Sequence, residues 1–94
     1  MIVFLGQTTR FYAKIEDSDG NPLSVDENIL SLYDSSGAVV DITGYVVVED
    51  SEGEYHCDLT IPEDGRLGVW KLVWQANKGE RSGIETYMFE VKSP

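Results

Sequence analysis

Cysteine, basic residues and long apolar runs are scarce in this sequence. One of its 94 residues is cysteine, Cys57, so no disulfide can form within the chain and the fold must depend on packing in a reducing compartment. Seven Lys and Arg against 17 Asp and Glu give a formal net charge of −10. This charge repels phosphate backbones and anionic lipids, so we expect neither nucleic acid nor a membrane as partner. The apolar run at residues 2–5 is short and has no basic residue before it, which predicts a soluble chain without a Sec-type signal peptide.

Residues suited to nucleophilic or metal chemistry are equally scarce. The single histidine and the single cysteine are neighbours, His56 and Cys57, and neighbouring residues of a strand point to opposite faces, so they cannot form a catalytic dyad. We expect a buried, inert thiol beside an exposed imidazole. Two such ligands are too few for zinc, and no G-x-S-x-G or glycine-rich phosphate loop occurs. The sequence therefore predicts no enzymatic activity, no catalytic residue and no cofactor.

An acidic run at residues 17–21, Asp-Ser-Asp-Gly-Asn, places oxygen atoms at alternate positions, as the start of a calcium loop does. Its glycine comes too early, and no acidic residue closes the pattern. A hairpin turn is the expected role of this run, and a weak cation site is the alternative.

Four segments alternate in a period of two residues, which indicates β-strands. They are residues 11–16, 54–61, 69–76 and 86–91. Residues 2–5, 29–33, 39–42 and 45–48 are rich in β-branched and aromatic residues but leave the register open. Turn signals separate these segments: Asp-Ser-x-Gly at residues 17–20, 34–37 and 50–53, and Asn-Lys-Gly at residues 77–79.

Short strands at this spacing, without helices, predict an all-β fold. We expect an immunoglobulin-like β-sandwich of seven to eight mainly antiparallel strands, forming a single domain over residues 1–94; a small barrel is the alternative. The predicted inward-facing residues are Phe11, Ala13, Ile15, Leu30, Leu32, Tyr55, Cys57, Leu59, Ile61, Trp70, Leu72, Trp74, Tyr87, Phe89 and Val91.

Apolar residues also occur at positions that the alternation directs outward. Val69, Val73 and Met88 share one outer face if the last strands are neighbours, joined by Tyr12 or Tyr33 depending on the sheet to which each belongs. An exposed apolar patch of this kind is typical of a surface for a partner or for self-assembly, whereas isolated surface apolar residues are ordinary. We predict Val69, Val73, Met88 and Tyr12 as a partner-binding face.

Several segments carry a family resemblance: GQTTRF at residues 6–11, EDSDGNP at 16–22, GEY at 53–55, TIPED at 60–64 and GVWKLVWQA at 68–76. With these segments the chain resembles small immunoglobulin-like structural proteins encoded among the head and tail genes of tailed phages and prophages. It is also similar to macroglobulin-type and invasin-type repeats of bacterial surface proteins, which recur in tandem, whereas the pattern occurs once here.

The phage resemblance implies a non-enzymatic protein-interaction or structural module, a virion accessory protein of the head, neck or tail. It implies a protein partner, either another virion protein or a second copy, and synthesis in the host cytoplasm before assembly. The alternative is a carbohydrate-binding or surface-binding module of a bacterial cell-surface system. That role usually depends on exposed aromatic rings, but both tryptophans of this chain are predicted to face inward.

Overall fold

The computed structural model describes residues 1–42 and 44–94, and this part of the chain forms eight strands. No helix with the length and apolarity needed to cross a bilayer occurs within it. The strands are β1 (Ile2–Phe4), β2 (Thr8–Lys14), β3 (Glu27–Tyr33), β4 (Val39–Val40), β5 (Val47–Ser51), β6 (Glu54–Thr60), β7 (Gly68–Lys78) and β8 (Arg81–Lys92).

The strands form two sheets that pack face to face. One sheet has five strands in the order β1-β8-β7-β3-β4, and the other has three in the order β2-β6-β5. β1 and β8 run parallel, and the other paired strands are antiparallel. The predicted immunoglobulin-like sandwich of seven to eight mainly antiparallel strands is therefore confirmed.

The longest strands, β7 and β8, form a hairpin with an unbroken register from Gly68↔Val91 to Lys78↔Arg81. Only Gly79 and Glu80 connect them, and Gly79 has a φ of 59°, as the first central residue of a type II′ turn requires. The predicted turn at residues 77–79 begins two residues too early. Of its three residues only Gly79 belongs to the turn. Asn77 and Lys78 continue β7, because a two-residue turn of this kind keeps the flanking strands paired to their ends.

The predicted turns at residues 17–20 and 34–37 are confirmed. In the first, the Gly20 amide donates to the Asp17 carbonyl oxygen at 3.0 Å, and the Asp17 carboxylate accepts the amides of Asp19 and Asn21 at 2.9 and 3.0 Å. These backbone donors, with Asn21 the strongest, lower the pKa of Asp17 because they stabilise its ionised form. The third Asp-Ser-x-Gly segment turns β5 into β6, beside a register shift between Glu49 and Ser51.

The core between the sheets consists of side chains that alternate with exposed ones along each strand. Its buried members are Val3, Phe11, Ala13, Leu30, Leu32, Tyr55, Cys57, Leu59, Ile61, Trp70, Leu72, Trp74, Ala76, Phe89 and Val91. Two predicted members, Ile15 and Tyr87, are only partly buried, and two buried residues, Val3 and Ala76, were not in the predicted set. Ile15 lies just beyond the end of β2, and Tyr87 lies on a part of β8 that has a neighbouring strand on one side only.

Candidate functional site

Three of the four predicted site residues lie together on the outer face of the five-stranded sheet. Val69 and Val73 are on β7, and Met88 of β8 lies opposite Lys71, the residue midway between them. Met88 is therefore the diagonal neighbour of both valines, within reach of a long side chain. Val69 is 54% exposed and Met88 is 60% exposed, whereas Val73 is half-buried between its neighbours.

The same face carries more apolar side chains than the sequence predicts. Ile84 of β8 and Ile29 of β3 lie on either side of Gln75, and β1 and β4 add residues at the two edges of the sheet. We define the apolar face as these eight residues: Ile2, Phe4, Ile29, Val39, Val69, Val73, Ile84 and Met88. Apart from the half-buried Val73, every member has a large exposed fraction.

The prediction that Tyr12 shares this face is wrong. Tyr12 is on β2, in the three-stranded sheet, where it pairs with His56 and points away from the core with 63% of its surface exposed. The alternative, Tyr33, does lie on the outer face of the five-stranded sheet. It pairs with Lys71, whose ammonium group is 4.9 Å from the centre of the Tyr33 ring, a cation–π contact.

The outer face of the three-stranded sheet exposes only Tyr12 and Val48 among its large hydrophobic side chains, and several of its polar side chains bind one another. Arg10 donates two hydrogen bonds to the Asp58 carboxylate, at 2.8 and 3.1 Å. This guanidinium group lowers the pKa of Asp58, and the carboxylate raises that of Arg10. The hydroxyls of Thr8 and Thr60 lie 2.7 Å apart on the same pair of strands. Much of the hydrogen-bonding capacity of this face is therefore used within the sheet.

His56 belongs to the same polar face, and the expectation of an exposed imidazole is wrong. Its Nδ1 lies 2.7 and 2.8 Å from the two oxygens of Asp50, and only 12% of its side chain is exposed. Asp50 reaches the ring because the register shift in β5 falls at this residue. Cys57 points the other way into the core, and burial raises the pKa of its thiol.

Charge is balanced on the outer face of the five-stranded sheet, although the chain as a whole is strongly acidic. Lys71 and Lys92 stand there beside Glu27 and Glu90, and the Lys92 ammonium is 3.8 Å from the Glu90 carboxylate. The acidic excess that gives the formal charge of −10 therefore lies elsewhere. A partner that approaches the apolar face meets apolar side chains and little net charge.

The arrangement offers little to a metal or a glycan. In residues 1–42 and 44–94 no three His, Cys, Asp or Glu side chains are grouped so that they could hold a metal ion. Trp70 and Trp74 are each 1% exposed, and their indole N–H groups donate to the Arg66 carbonyl oxygen and to Asn28 Oδ1, at 2.7 and 2.9 Å. Neither tryptophan ring is accessible to a sugar.

No protein-family model and no curated protein sequence matches the chain. Among solved structures, a filamin domain of Lin-41 is similar over 99% of this chain and 84% of its own, with a TM-score of 0.65 and 13% identity. A chimeric titin Z1Z2 carrying a decorin peptide is similar over 100% of this chain and 86% of its own, with a TM-score of 0.54 and 20% identity. Titin domain M7 is similar over 99% and 85%, with a TM-score of 0.56 and 13% identity. At these identities the likeness establishes the immunoglobulin-like fold alone.

Proposed function

We propose that this chain is a non-enzymatic protein-interaction module that assembles through its apolar face. One observation carries the proposal: the two outer faces of the sandwich differ in kind. The outer face of the three-stranded sheet carries side chains that pair with one another, such as Arg10 with Asp58. The apolar face exposes Met88, Ile84 and Val69 to water without such partners. When exposed apolar side chains are grouped on one face, that face is usually a site of interaction with another molecule.

A second copy of the chain is the partner that this face fits. The molecule measures 41 × 23 × 23 Å, so a complete sheet face covers on the order of 900 Å². A standard interface buries roughly 800 Å² on each partner. A two-fold contact uses the same surface on both copies, so the apolar face of one copy would pack against the apolar face of the other. The balanced charges of Lys71, Lys92, Glu27 and Glu90 allow such a contact despite the net charge of −10.

Solution mass, measured by light scattering and sedimentation equilibrium across concentration and ionic strength, tests this proposal. We expect particles above 10.5 kDa whose dissociation constant falls as salt is added. Added salt screens the repulsion between two acidic chains, because the Debye length shortens from about 10 Å at 0.1 M to about 3 Å at 1 M. A strictly monomeric chain at millimolar concentration would contradict self-assembly.

Met88→Ser and Tyr12→Ser make a matched pair, since the two side chains are 60% and 63% exposed but lie on opposite outer faces. Burying a methionine completely is worth about 1.5–3 kcal/mol, so burying the exposed part of Met88 is worth about 1–2 kcal/mol per copy and twice that per dimer. Met88→Ser should raise the dissociation constant roughly 30- to 700-fold. Tyr12→Ser should leave it unchanged, and equal effects of the two variants would show that the apolar face is not the contact.

At a finer level, we propose that the assembled module is an accessory component of the head, neck or tail of a tailed-phage virion. The segments that resemble the immunoglobulin-like structural proteins of phages and prophages support this role. The test is quantitative mass spectrometry of particles purified from an induced culture of a lysogen that carries the gene. The chain should occur in whole-number stoichiometry to the capsid or tail proteins, and its absence from intact particles would refute the virion role.

A further inference from the structure

β8 has a long open edge. β1 pairs only with Glu90, Val91 and Lys92 of β8, so within the described residues the stretch 81–89 has β7 on one side and no strand on the other. The Glu90 amide donates to the Met1 carbonyl oxygen, and the Lys92 carbonyl accepts the Leu5 amide, each at 3.0 Å. The backbone groups of even-numbered residues therefore face this edge.

Because backbone groups alternate between the two sides of a strand, the N–H and C=O groups of Ser82, Ile84, Thr86 and Met88 also face the open edge. Natural proteins usually protect such an edge with proline, a bulge, a covering segment or charged side chains, including inward-pointing ones. Residues 81–89 contain no proline, and the pairing of β8 with β7 runs without a register shift. Glu85 is the one charged side chain between residues 82 and 88, so the edge is a regular template for a strand that places a basic residue opposite it.

A cleft of about 470 Å³ opens beside this edge, between the start of β8 and the segment that follows β2. The apolar residues that line it from the core side are Ile15, Leu23, Val25, Trp74 and Ala76. Gly83 stands at the mouth, where an added Cβ would have no atom within 4 Å. The cleft is thus accessible from the open edge at the one position of β8 that has no side chain.

Tyr87 holds the two sheets together beyond the cleft. Its hydroxyl lies 2.5 Å from the Tyr12 carbonyl oxygen of β2 and 2.9 Å from the carboxylate of Glu85. This contact fixes the edge of β8 relative to β2 and places a carboxylate next to the mouth of the cleft. The edge, the cleft and the charge are therefore positioned before any ligand arrives.

We propose that the open edge of β8 binds an extended segment of another protein by adding it as a further strand of the sheet. Backbone hydrogen bonds to the four even-numbered residues provide affinity, and alternate side chains of the segment provide specificity. The residue opposite Gly83 is apolar and enters the cleft, and the residue opposite Glu85 is basic. Ile84 and Met88 belong to both regions, but this site uses their backbone groups and the cleft, not their outward side chains, so the inference goes beyond the proposed function.

Charge argues for a foreign segment rather than a second copy. Two copies of β8 that paired antiparallel over the whole open stretch, residues 82–88, would place Glu85 opposite Glu85, and like charges directly opposite each other destabilise a sheet. The net charge of −10 on each copy adds to this repulsion. Glu16 and Asp17 also line the cleft, while its cationic lining residues, Lys78 and Arg81, sit together at the hairpin turn.

Two capped heptapeptides test the proposal: Thr-Val-Thr-Lys-Thr-Val-Thr, and the same peptide with glutamate in place of lysine. Each reads the same in both directions, so a parallel or an antiparallel strand presents the same side chains to the protein. In amide NMR titrations the lysine peptide should bind with a dissociation constant below about 1 mM and shift and protect the amides of Ser82, Ile84, Thr86 and Met88. The glutamate peptide should bind at least tenfold more weakly. Equal binding of the two, no binding at 1 mM, or shifts confined to other strands would overturn the proposal.

Variants of the edge separate strand addition from other modes of binding. Thr86→Pro removes one edge-facing N–H, and Thr86→Val retains it, so only the proline variant should weaken lysine-peptide binding, by at least tenfold. Glu85→Lys should reverse the preference between the peptides. Full binding by Thr86→Pro, or an unchanged preference in Glu85→Lys, would refute the site. If Thr86→Pro changed the solution mass of the protein in the absence of peptide, the edge would be a contact between two copies instead. Met88→Ser tests the apolar face separately.

Discussion

Replacing Gly53 by alanine should damage the fold far more than the same change at Gly20 or Gly37. These glycines close the three Asp-Ser-x-Gly turns, and their φ angles are similar, at 77°, 84° and 84°. An alanine Cβ at position 53 would lie 2.5 Å from the Ile15 carbonyl oxygen and 2.8 Å from the Leu23 amide nitrogen. At positions 20 and 37 it would meet no atom within 4 Å. One motif therefore hides two very different surroundings.

The magnitudes follow from these contacts. A positive φ destabilises an alanine by about 1–2 kcal/mol. Alanine also lowers the conformational entropy of the unfolded chain, which stabilises the folded state by about 0.4–1 kcal/mol. Gly20→Ala and Gly37→Ala should therefore each lower the free energy of unfolding by about 1 kcal/mol. At Gly53 the backbone must also separate where the Ile15 amide donates to Gly53 at 2.7 Å and the Leu23 amide to Ile15 at 3.0 Å. Each buried group left without its partner costs about 1–3 kcal/mol. Gly53→Ala should therefore cost about 3–7 kcal/mol if both hydrogen bonds are lost.

Thermal and urea unfolding followed by tryptophan fluorescence measure this difference, since Trp70 and Trp74 are buried in the core. In a domain of this size 1 kcal/mol shifts the Tm by about 4–8 °C. Gly53→Ala should thus lower the Tm by at least about 12 °C, whereas the other two variants should stay within about 8 °C. If all three variants melted together, the close approach of residues 15, 23 and 53 would be wrong.

Three further predictions concern single side chains. Cys57 should resist a thiol reagent in the folded protein and react only as the chain unfolds, because it is buried and burial raises its pKa; rapid labelling of the native protein would contradict this. The pKa of Glu49 lies below its usual 4.5, chiefly because the Ser24 hydroxyl donates a hydrogen bond to the carboxylate. The ionised carboxylate therefore stabilises the fold above pH 4.5. This contribution disappears as the pH falls through the lower, folded-state pKa. The stability difference between the wild type and Glu49→Gln, from urea unfolding, should accordingly shrink under acid, and a constant difference would refute the assignment. Tyr87→Phe removes the hydroxyl contact with Tyr12 and should cost about 1 kcal/mol in the same assay, with no loss if the contact is not made.

Most of the core was predictable because alternation in a strand is a local property. Residues 54–61 and 69–76 each repeat the two-residue alternation four times, which is enough to assign every inward side chain. Val3 was not predictable in this way, since β1 is only three residues long and its register depends on a parallel pairing with β8, almost ninety residues away. A short strand takes its orientation from the neighbour that covers it.

The candidate site shows the same division between local and distant information. Val69, Val73 and Met88 come together because one hairpin joins their strands, so sequence neighbours become sheet neighbours. Tyr12 required knowledge of which sheet β2 joins, and periodicity carries no such information. Ile84 was not predicted because Gly83 precedes it. A glycine is unfavourable inside a strand and so indicates a loop, although β8 already begins at Arg81. The open edge likewise depends on how little of β8 is covered by β1.

The acidic excess gives the two proposed contacts opposite responses to salt. Association of two copies through the apolar face brings two chains of charge −10 together, so added salt should strengthen it by screening their repulsion. Binding of a cationic segment beside Glu85 gains from the same negative field, so added salt should weaken it. A titration of each contact from low to high ionic strength therefore tells them apart without any mutation. If both contacts responded with the same sign, one of the two assignments would have to be withdrawn.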